Sequence, residues 1–528
     1  MNNSAQKRTL GQYFTPLPVI EAAFAMLDIL SGRQSGQKVR IIDPACGDGA
    51  FLRYAIEQGI ATKKTAIGID CDDLGSGKSP NGYCQKNQNG LLPIPEEKRG
   101  FDYVVGNPPY GTEHLGNSNT NAERKKLAKL LEDNFDVWQS QTSLSSVPVE
   151  VLFLERFIQL AGRSNRNGYV AIVIPDGVLA NDRLQYVRDW LSGLVTINAV
   201  VSLPRKTFQR TGTTAKTCLL LMTYGQSNPN NKVFVATAEN MDGSLTKIVG
   251  DARKFWSSRR IGPGRSIVVQ SSQEFVSRMD PAYWRPDLVR PLAMMRKNFP
   301  TKRLYDLVER RKAIVTGDHV RASRGESKGY DLDSSFEYYE TSGFTETGYD
   351  SSQIKRCSAN AYNRLSYTEV YQNDILVSCA GVGGVGRARA CFISHVPGQS
   401  CTGDVFILRL PSPLAEIVYL LLKSKFGRAQ IERLCNGTGT LNINANELMS
   451  LEIPLLEIDL QVRIAKALRS VFSIHNRAMK IKTNRIKSGV GFQAPGTDKT
   501  YLRLIKQATV AQAELIVALE NSLQNPDS

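Results

Sequence analysis

An open α/β fold built on a largely parallel sheet is predicted by three strand-to-loop junctions in the first 110 residues. Val39 to Ile42 reads as a buried strand that runs into Asp43-Pro44-Ala45-Cys46-Gly47-Asp48-Gly49 and then into a helix through Ile56. Ala66 to Ile69 reads as a second strand, closing on Asp70, and Phe101 to Gly106 as a later one, closing on Asn107-Pro108-Pro109-Tyr110. Short apolar strands alternating with helical segments lie side by side in a parallel sheet, and such sheets bind ligands outside the carboxyl ends of their strands. All three junctions therefore stand where chemistry is expected.

In the first junction the small side chains of Ala45, Cys46, Gly47 and Gly49 let backbone approach a ligand closely. The loop lacks the GxGxxG spacing of dinucleotide folds and the GK[ST] of P-loops, so a nucleoside-type ligand without a pyrophosphate suits it better. Asp70, a carboxylate at a strand end, is where a ribose hydroxyl pair is commonly held; its alternative reading is a solvated strand end. The third junction carries the most specific chemistry. An exocyclic amine on a heteroaromatic ring is a poor nucleophile because its lone pair is delocalised into the ring. An Asn oxygen and a backbone carbonyl can each accept one amine hydrogen, and a proline-rich turn presents carbonyls without competing N–H donors. Tyr110 offers a face on which a planar base can stack. Read blandly, the same residues are a proline turn closing a strand.

The 528 residues exceed one ordinary core, so two or more domains are expected. Lys and Arg outnumber Asp and Glu by 66 to 50, a formal net charge of +16 that favours a polyanionic partner. The nine cysteines include no CxxC pair and no Cys/His cluster of zinc spacing, so no metal site is expected, and they read as reduced thiols of a cytoplasmic protein. No signal-like h-region follows Met1, and no run approaches the roughly 18 apolar residues of a membrane span, so secretion and membrane insertion are not expected.

Gly11-Gln12-Tyr13-Phe14-Thr15-Pro16, the loop from Asp43 to Gly49, and Asn107-Pro108-Pro109-Tyr110, in that order and at similar spacing, resemble the gamma class of adenine-N6 DNA methyltransferases. The resemblance implies a Rossmann-like methyltransferase domain that uses S-adenosyl-L-methionine. Thr15 would belong to the segment closing over the cofactor. Asp43, Ala45, Cys46, Gly47 and Gly49 would cradle its methionine moiety, with Pro109 beside it, and Asp70 would take its ribose. Asn107 and Pro108 would accept the target amine and Tyr110 would stack on the base. The likeness continues through the strand Gly168 to Pro175 to Leu203-Pro204-Arg205-Lys206-Thr207-Phe208, where Phe208 would pack against the flipped adenine; otherwise it is a core Phe. One departure stands out: the family's acid at the third strand's end is absent from Gln88-Asn89-Gly90-Leu91-Leu92, leaving Asn89 to accept from the cofactor's adenine.

The methyltransferase sheet is expected to finish at Tyr224, giving a catalytic domain over residues 1–225 and a connecting segment over 226–300. Asn373 to Ser378, Gly381 to Arg387, Ala390 to Ile393, Gly437 to Leu441 and Leu448 to Leu455 look like the target-recognition domain of type I restriction specificity subunits, which implies an α+β domain over 301–457. Helices at about 458–487 and 500–523 fill the remainder, 458–528, as a dimer arm, a brace against the body or a solvated hairpin. The polar loop Gly111 to Pro148, with Arg124, Lys125, Lys126 and Lys129, is expected to order on DNA. The expected partners are double-stranded DNA and a cognate restriction endonuclease, for a monomer or dimer. An N4-cytosine or RNA base methyltransferase and a non-catalytic DNA-binding specificity protein are the alternatives. Only about ten residues precede the first motif, too few for an amino-terminal nuclease.

Overall fold

The computed structural model describes residues 15–71, 84–111, 129–137, 139, 147–162, 168–204, 207–208, 216–225, 231–241, 243–258, 266–307, 314–316, 335–378, 390–396, 398–402, 405–434, 443–488 and 498–524. Gly11 to Phe14, most of the loop after Gly111, and the glycine-rich stretches Gly381 to Arg387 and Gly437 to Leu441 lie outside them. The chain divides into two compact units, Met1–Pro286 and Asp287–Ser528.

The amino-terminal unit is built on one sheet of nine strands: β1 (Ile41–Asp43), β2 (Ala66–Asp70), β3 (Cys84–Asn87), β4 (Tyr103–Gly106), β5 (Tyr169–Pro175), β6 (Val195–Ser202), β7 (Thr217–Tyr224), β8 (Lys232–Thr237) and β9 (Ser266–Gln270). Their order across the sheet is β3-β2-β1-β4-β5-β7-β6-β8-β9. The first five in that row are parallel, and β7 inserts antiparallel between β5 and β6. This is the open α/β class the strand junctions predict and the Rossmann-like fold the resemblance implies.

Local chemistry explains the covering helices. Leu17–Ser31 follows Pro16 and ends at Gly32, whose φ of 66° supplies the left-handed turn that stops a helix. It packs with Ala50–Glu57, Phe24 meeting Phe51 and stacking on Tyr54 with ring centroids 5.4 Å apart. The sheet does not finish at Tyr224: β8 joins β6 in parallel and β9 joins β8 antiparallel. Val233 to Ala236 are fully buried, and the helix Ser244–Ser258 packs Leu245, Ile248, Ala252 and Phe255 into one core with Phe234 and Ala236. Residues 226–300 are thus largely part of this unit rather than a connector; without β8 the apolar strand β6 would be a bare sheet edge.

In the carboxyl-terminal unit a four-stranded sheet has the order Ile314–Thr316, Val405–Leu408, Ile375–Ser378, Ala390–Phe392, and a three-stranded one the order Lys355–Cys357, Phe336–Tyr339, Ser400–Thr402. The terminal helices span Ile458–Lys487 and Lys499–Gln524. They share one core with the four-stranded sheet, through Leu468, Val471, Phe472, Ala508, Leu519 and Leu523, so residues 458–528 form no separate layer. Phe472 stacks on Phe392 at 4.5 Å. Of the three open readings, the brace fits this packing and the solvated hairpin does not. Part of the tail's basic charge is structural as well: Lys482 pairs with Asp350, and Arg485 with Asp498 at 2.8 Å. No helix among the described residues is long and apolar enough to cross a membrane.

Candidate active site at the switch point of the sheet

The chain leaves β1 on one side to build β2 and β3, then returns to place β4 on the other side. Loops leaving β1 and β4 therefore diverge, opening a crevice at their carboxyl ends, which is where open α/β sheets bind ligands. Asp43 ends β1 and Asn107 follows β4, so the two most informative sequence junctions flank this crevice.

The loop after β1 is held by short backbone bonds. Cys46 N–H donates to the Ile69 carbonyl at 2.9 Å and Gly49 N–H to the Cys46 carbonyl at 2.7 Å. Gly47 and Gly49 have φ of 51° and 76°, left-handed values that favour glycine at both positions. Asp70, at the end of β2, accepts from Gly47 N–H at 2.8 Å and so ties the two strand ends together; a carboxylate can accept further bonds beyond that one. Asp43 accepts from Ala45 N–H at 3.0 Å and is 2% exposed. Gly106 closes in on it from β4: a Cβ there would lie 2.4 Å from Asp43 Oδ1. Burial pushes the Asp43 carboxyl well above its ordinary pKa, and the nearby carboxylates of Asp70 and Asp48 push the same way against the Ala45 amide. A bound cation would relieve all three effects.

At the end of β4, Pro108 is buried while Asn107, Pro109 and Tyr110 are half-buried. The Tyr110 hydroxyl donates to Asn107 Oδ1 and lies 3.2 Å from the Val173 carbonyl oxygen of β5. Just beyond, Gly111 N–H donates to Glu150 at 2.9 Å, pinning the exit of the turn to the helix Val149–Gly162.

The third strand's end is braced against the first loop. A Cβ on Gly90 would meet the Pro44 carbonyl oxygen at 1.7 Å, so only glycine allows this approach. Arg156 holds the segment from behind, donating to the Gly90 and Leu92 carbonyls at 3.1 and 2.8 Å and pairing with buried Glu97. Asn89 Oδ1 accepts from Leu91 N–H at 3.0 Å, a local turn bond that uses one of the oxygen's two lone pairs. Its neighbour Gln88 carries a buried Nε2 with no hydrogen-bond partner among the described residues. Sequence reasoning missed Gln88 and Arg156; neither has a sequence signal, since both follow from how the loop folds back.

Two expected residues stand apart. Thr15 is described and half-buried, but the motif before it is outside the described residues. Phe208 is 0% exposed and belongs to the core cluster that includes Phe24, Tyr103, Val173 and Phe234, so stacking on a base requires its ring to be uncovered first. At the carboxyl end of β5, Asp176 pairs with Lys216 at 3.0 Å and accepts from the Cys218 thiol at 2.9 Å, a half-buried polar knot with no counterpart in the motif reading.

Residues 1–70 and 78–249 match the family model described as N-6 DNA Methylase. The type II methyltransferase M.TthHB8I of Thermus thermophilus is 23% identical over 189 residues, covering 36% of this chain and 40% of that protein. The chain thus matches well under half the length of that curated relative. Among solved structures, the type IIL restriction-modification enzyme MmeI, in complex with DNA, is 10% identical with a TM-score of 0.47, covering all of this chain and 75% of that one. The methyltransferase subunit of a type I restriction-modification system from Streptococcus thermophilus is 19% identical with a TM-score of 0.37, covering 49% and 56%. The amino-terminal unit has the Rossmann-like fold of S-adenosylmethionine-dependent methyltransferases, the cofactor that this family implies.

Proposed function

We propose that this protein transfers a methyl group from S-adenosyl-L-methionine to the N6 amine of an adenine flipped out of double-stranded DNA, as the modification activity of a restriction-modification system. The observation that carries this reading is the placement of an Asn-Pro-Pro-Tyr turn at the end of β4, across the switch point from an acidic, glycine-rich loop at the end of β1.

The residues present fit the cofactor. Ala45, Cys46, Gly47 and Gly49 leave backbone accessible, and Asp43, destabilised as an anion by burial and by two neighbouring carboxylates, suits a ligand that carries positive charge. Asp70 suits a ribose hydroxyl pair. The orphaned Gln88 Nε2 is a buried donor at the strand end where an adenine ring would present acceptor nitrogens, and we assign the cofactor's base edge to Gln88 beside Asn89. S-adenosyl-L-methionine supplies a methyl group made electrophilic by its sulfonium. Asn107 Oδ1 and the Pro108 carbonyl accept the two hydrogens of the target amine and turn its lone pair out of the ring's conjugation. Tyr110 stacks on the extruded base, offsetting part of the few kcal/mol that unstacking costs. Holding amine and methyl in line is the remaining contribution of the site.

The carboxyl-terminal unit is proposed to read the DNA sequence, and a cognate restriction endonuclease is the protein partner such a system implies. The test is methyl transfer from labelled cofactor to duplex DNA, followed by separation of the nucleosides. Label in N6-methyladenine, abolished in Asn107→Ala, is expected. Label in N4-methylcytosine or only in RNA would replace the substrate, and no transfer with intact DNA binding would leave a non-catalytic specificity protein.

A further inference from the structure

A carboxamide has two ends of nearly equal size and opposite chemistry. For Asn107 to act on an amine its oxygen must face that amine; rotated by half a turn it would set a donor against a donor and repel the substrate. Something must tell the two ends apart. The Tyr110 hydroxyl is placed to do so, because it donates to Asn107 Oδ1. The same hydroxyl lies 3.2 Å from the carbonyl oxygen of Val173, and the register explains why that carbonyl is there. Gly106, the last residue of β4, pairs with Ile172, so Val173 is the first β5 residue beyond the ladder on that side. Tyr110 turns back over this end of the ladder and anchors its hydroxyl between the two oxygens. A phenol has one hydrogen to give, and here the nearer acceptor is Asn107 Oδ1. Rotation of the carboxamide would exchange that bond for one from Asn107 Nδ2 to the phenol oxygen and turn the phenol hydrogen to the Val173 carbonyl, the more distant acceptor at 3.2 Å. An amide oxygen has two lone pairs, so accepting the phenol leaves capacity for the amine.

We propose that the Tyr110 hydroxyl is a positioning group that fixes the Asn107 carboxamide with its oxygen toward the target amine, distinct from the stacking role of the Tyr110 ring. The inference rests on the function proposed above and assigns the hydroxyl a task that a phenylalanine ring cannot perform.

An aspartate at position 107 has two equivalent oxygens and needs no such orientation, so the proposal is tested by a cycle of Tyr110→Phe, Asn107→Asp and the double variant. Single-turnover methylation is measured at saturating cofactor and DNA. Tyr110→Phe keeps the ring, so the brightening of 2-aminopurine at the target position should persist. Its methylation rate should fall by about tenfold, the scale of one hydrogen bond. In the Asn107→Asp background the same substitution should cost less than about twofold. An equal loss in both backgrounds, or no loss with Asn107, overturns the proposal. A neutron crystal structure of the deuterated Tyr110→Phe protein, in which the amide deuterons are seen directly, asks the same question without turnover: the Asn107 side chain should occupy two orientations, and a single unchanged one would overturn the assignment. If the wild type moves no methyl to DNA, the functional reading fails while this second measurement still decides the role of the hydroxyl.

Discussion

Asp43 in the amino-terminal unit and Glu452 in the carboxyl-terminal unit are both carboxylates on short strands, and the protein treats them in opposite ways. Glu452 accepts from Arg296 Nε at 2.8 Å and from Thr301 Oγ1 at 3.2 Å. Burial pushes its pKa up, but Arg296 and Thr301 outweigh it and leave Glu452 below the ordinary glutamate value. Asp43 has an amide for a partner and carboxylates for neighbours, and stays well above its ordinary value. Glu452 is satisfied by the fold itself. No cation among the described residues offsets Asp43, which suits the proposed cofactor site. A charge that the fold leaves uncompensated at the carboxyl end of a strand marks a ligand site, whereas a matched one marks architecture.

The comparison divides residues into those that serve the fold and those that serve a ligand, and Phe208 tests the division most severely. Its full burial places it with the fold, so Phe208→Ala should cost about 3–5 kcal/mol of stability in the amino-terminal unit. Methylation of matched and target-mismatched DNA should fall together. Rescue by the mismatch without loss of stability would return Phe208 to the base and break the division at its largest predicted effect. Asn107 should behave in the opposite manner: Asn107→Ala is expected to slow methylation by about 10²–10³-fold while melting temperature and cofactor affinity hold, as calorimetry can show.

The two carboxylates give the next, smaller contrast. Asp43 has a raised folded pKa, so the fold favours its protonated form, and stability is lost as pH rises from about 4, where unfolded Asp titrates, through the folded value. Asp43→Asn should therefore raise the cofactor-free stability at neutral pH, and it should weaken cofactor binding by about 1–2 kcal/mol. Glu452 has a depressed pKa, so its contribution is present above about 4.3 and lost as pH falls through the folded value. Glu452→Gln should cost about 1 kcal/mol at neutral pH, kept small because Arg296 is partly exposed. Chemical denaturation of each variant at pH near 7 checks the signs. Destabilisation by Asp43→Asn with unchanged cofactor binding would erase the distinction between the two sites.

The same division explains what could be read from the sequence. Asp43, Gly47, Asp70 and Asn107 were legible because each sits at a junction whose backbone chemistry is local: a strand ends, a glycine takes a left-handed turn, a proline withholds a donor. Gln88, Arg156 and Val173 were not, because their roles arise where segments far apart in sequence meet. Gly90 against Pro44 and Arg156 against Gly90 are such meetings, and no periodicity announces them. Strand β8 was passed over for a related reason: only the uncovered edge of β6 says that another strand must follow. The terminal helices were placed to within a residue or two, yet their sequence does not say which body they pack against. Phe392, Tyr419 and Phe472 settle this, and they come together from three separate stretches of chain.

His475 gives the smallest effect and the finest test of what serving the fold means. It is 1% exposed on the helix Ile458–Lys487, with Nε2 3.0 Å from the Tyr349 carbonyl and Nδ1 2.8 Å from Thr347 Oγ1. A carbonyl only accepts, so Nε2 carries the hydrogen and Nδ1 accepts from the Thr347 hydroxyl. Burial lowers its pKa, against the opposing pull of the Tyr349 carbonyl and Asp350. A histidine held neutral in this way contributes stability that is fully present above the unfolded value of about 6.5 and is lost as pH falls below it. The loss should be modest, because the Thr347 hydroxyl can rotate and accept from a protonated ring. Melting temperatures of wild type and His475→Gln, followed from pH about 7.5 to about 5.5, should converge as the pH falls, since glutamine has no proton to gain. This window lies above the ordinary carboxylate range, so Glu452 and its like should not contribute. A constant difference between the two proteins would mean that His475 takes up its proton in the folded protein as readily as in the unfolded chain, and that burial among Thr347 and Tyr349 does not hold it neutral.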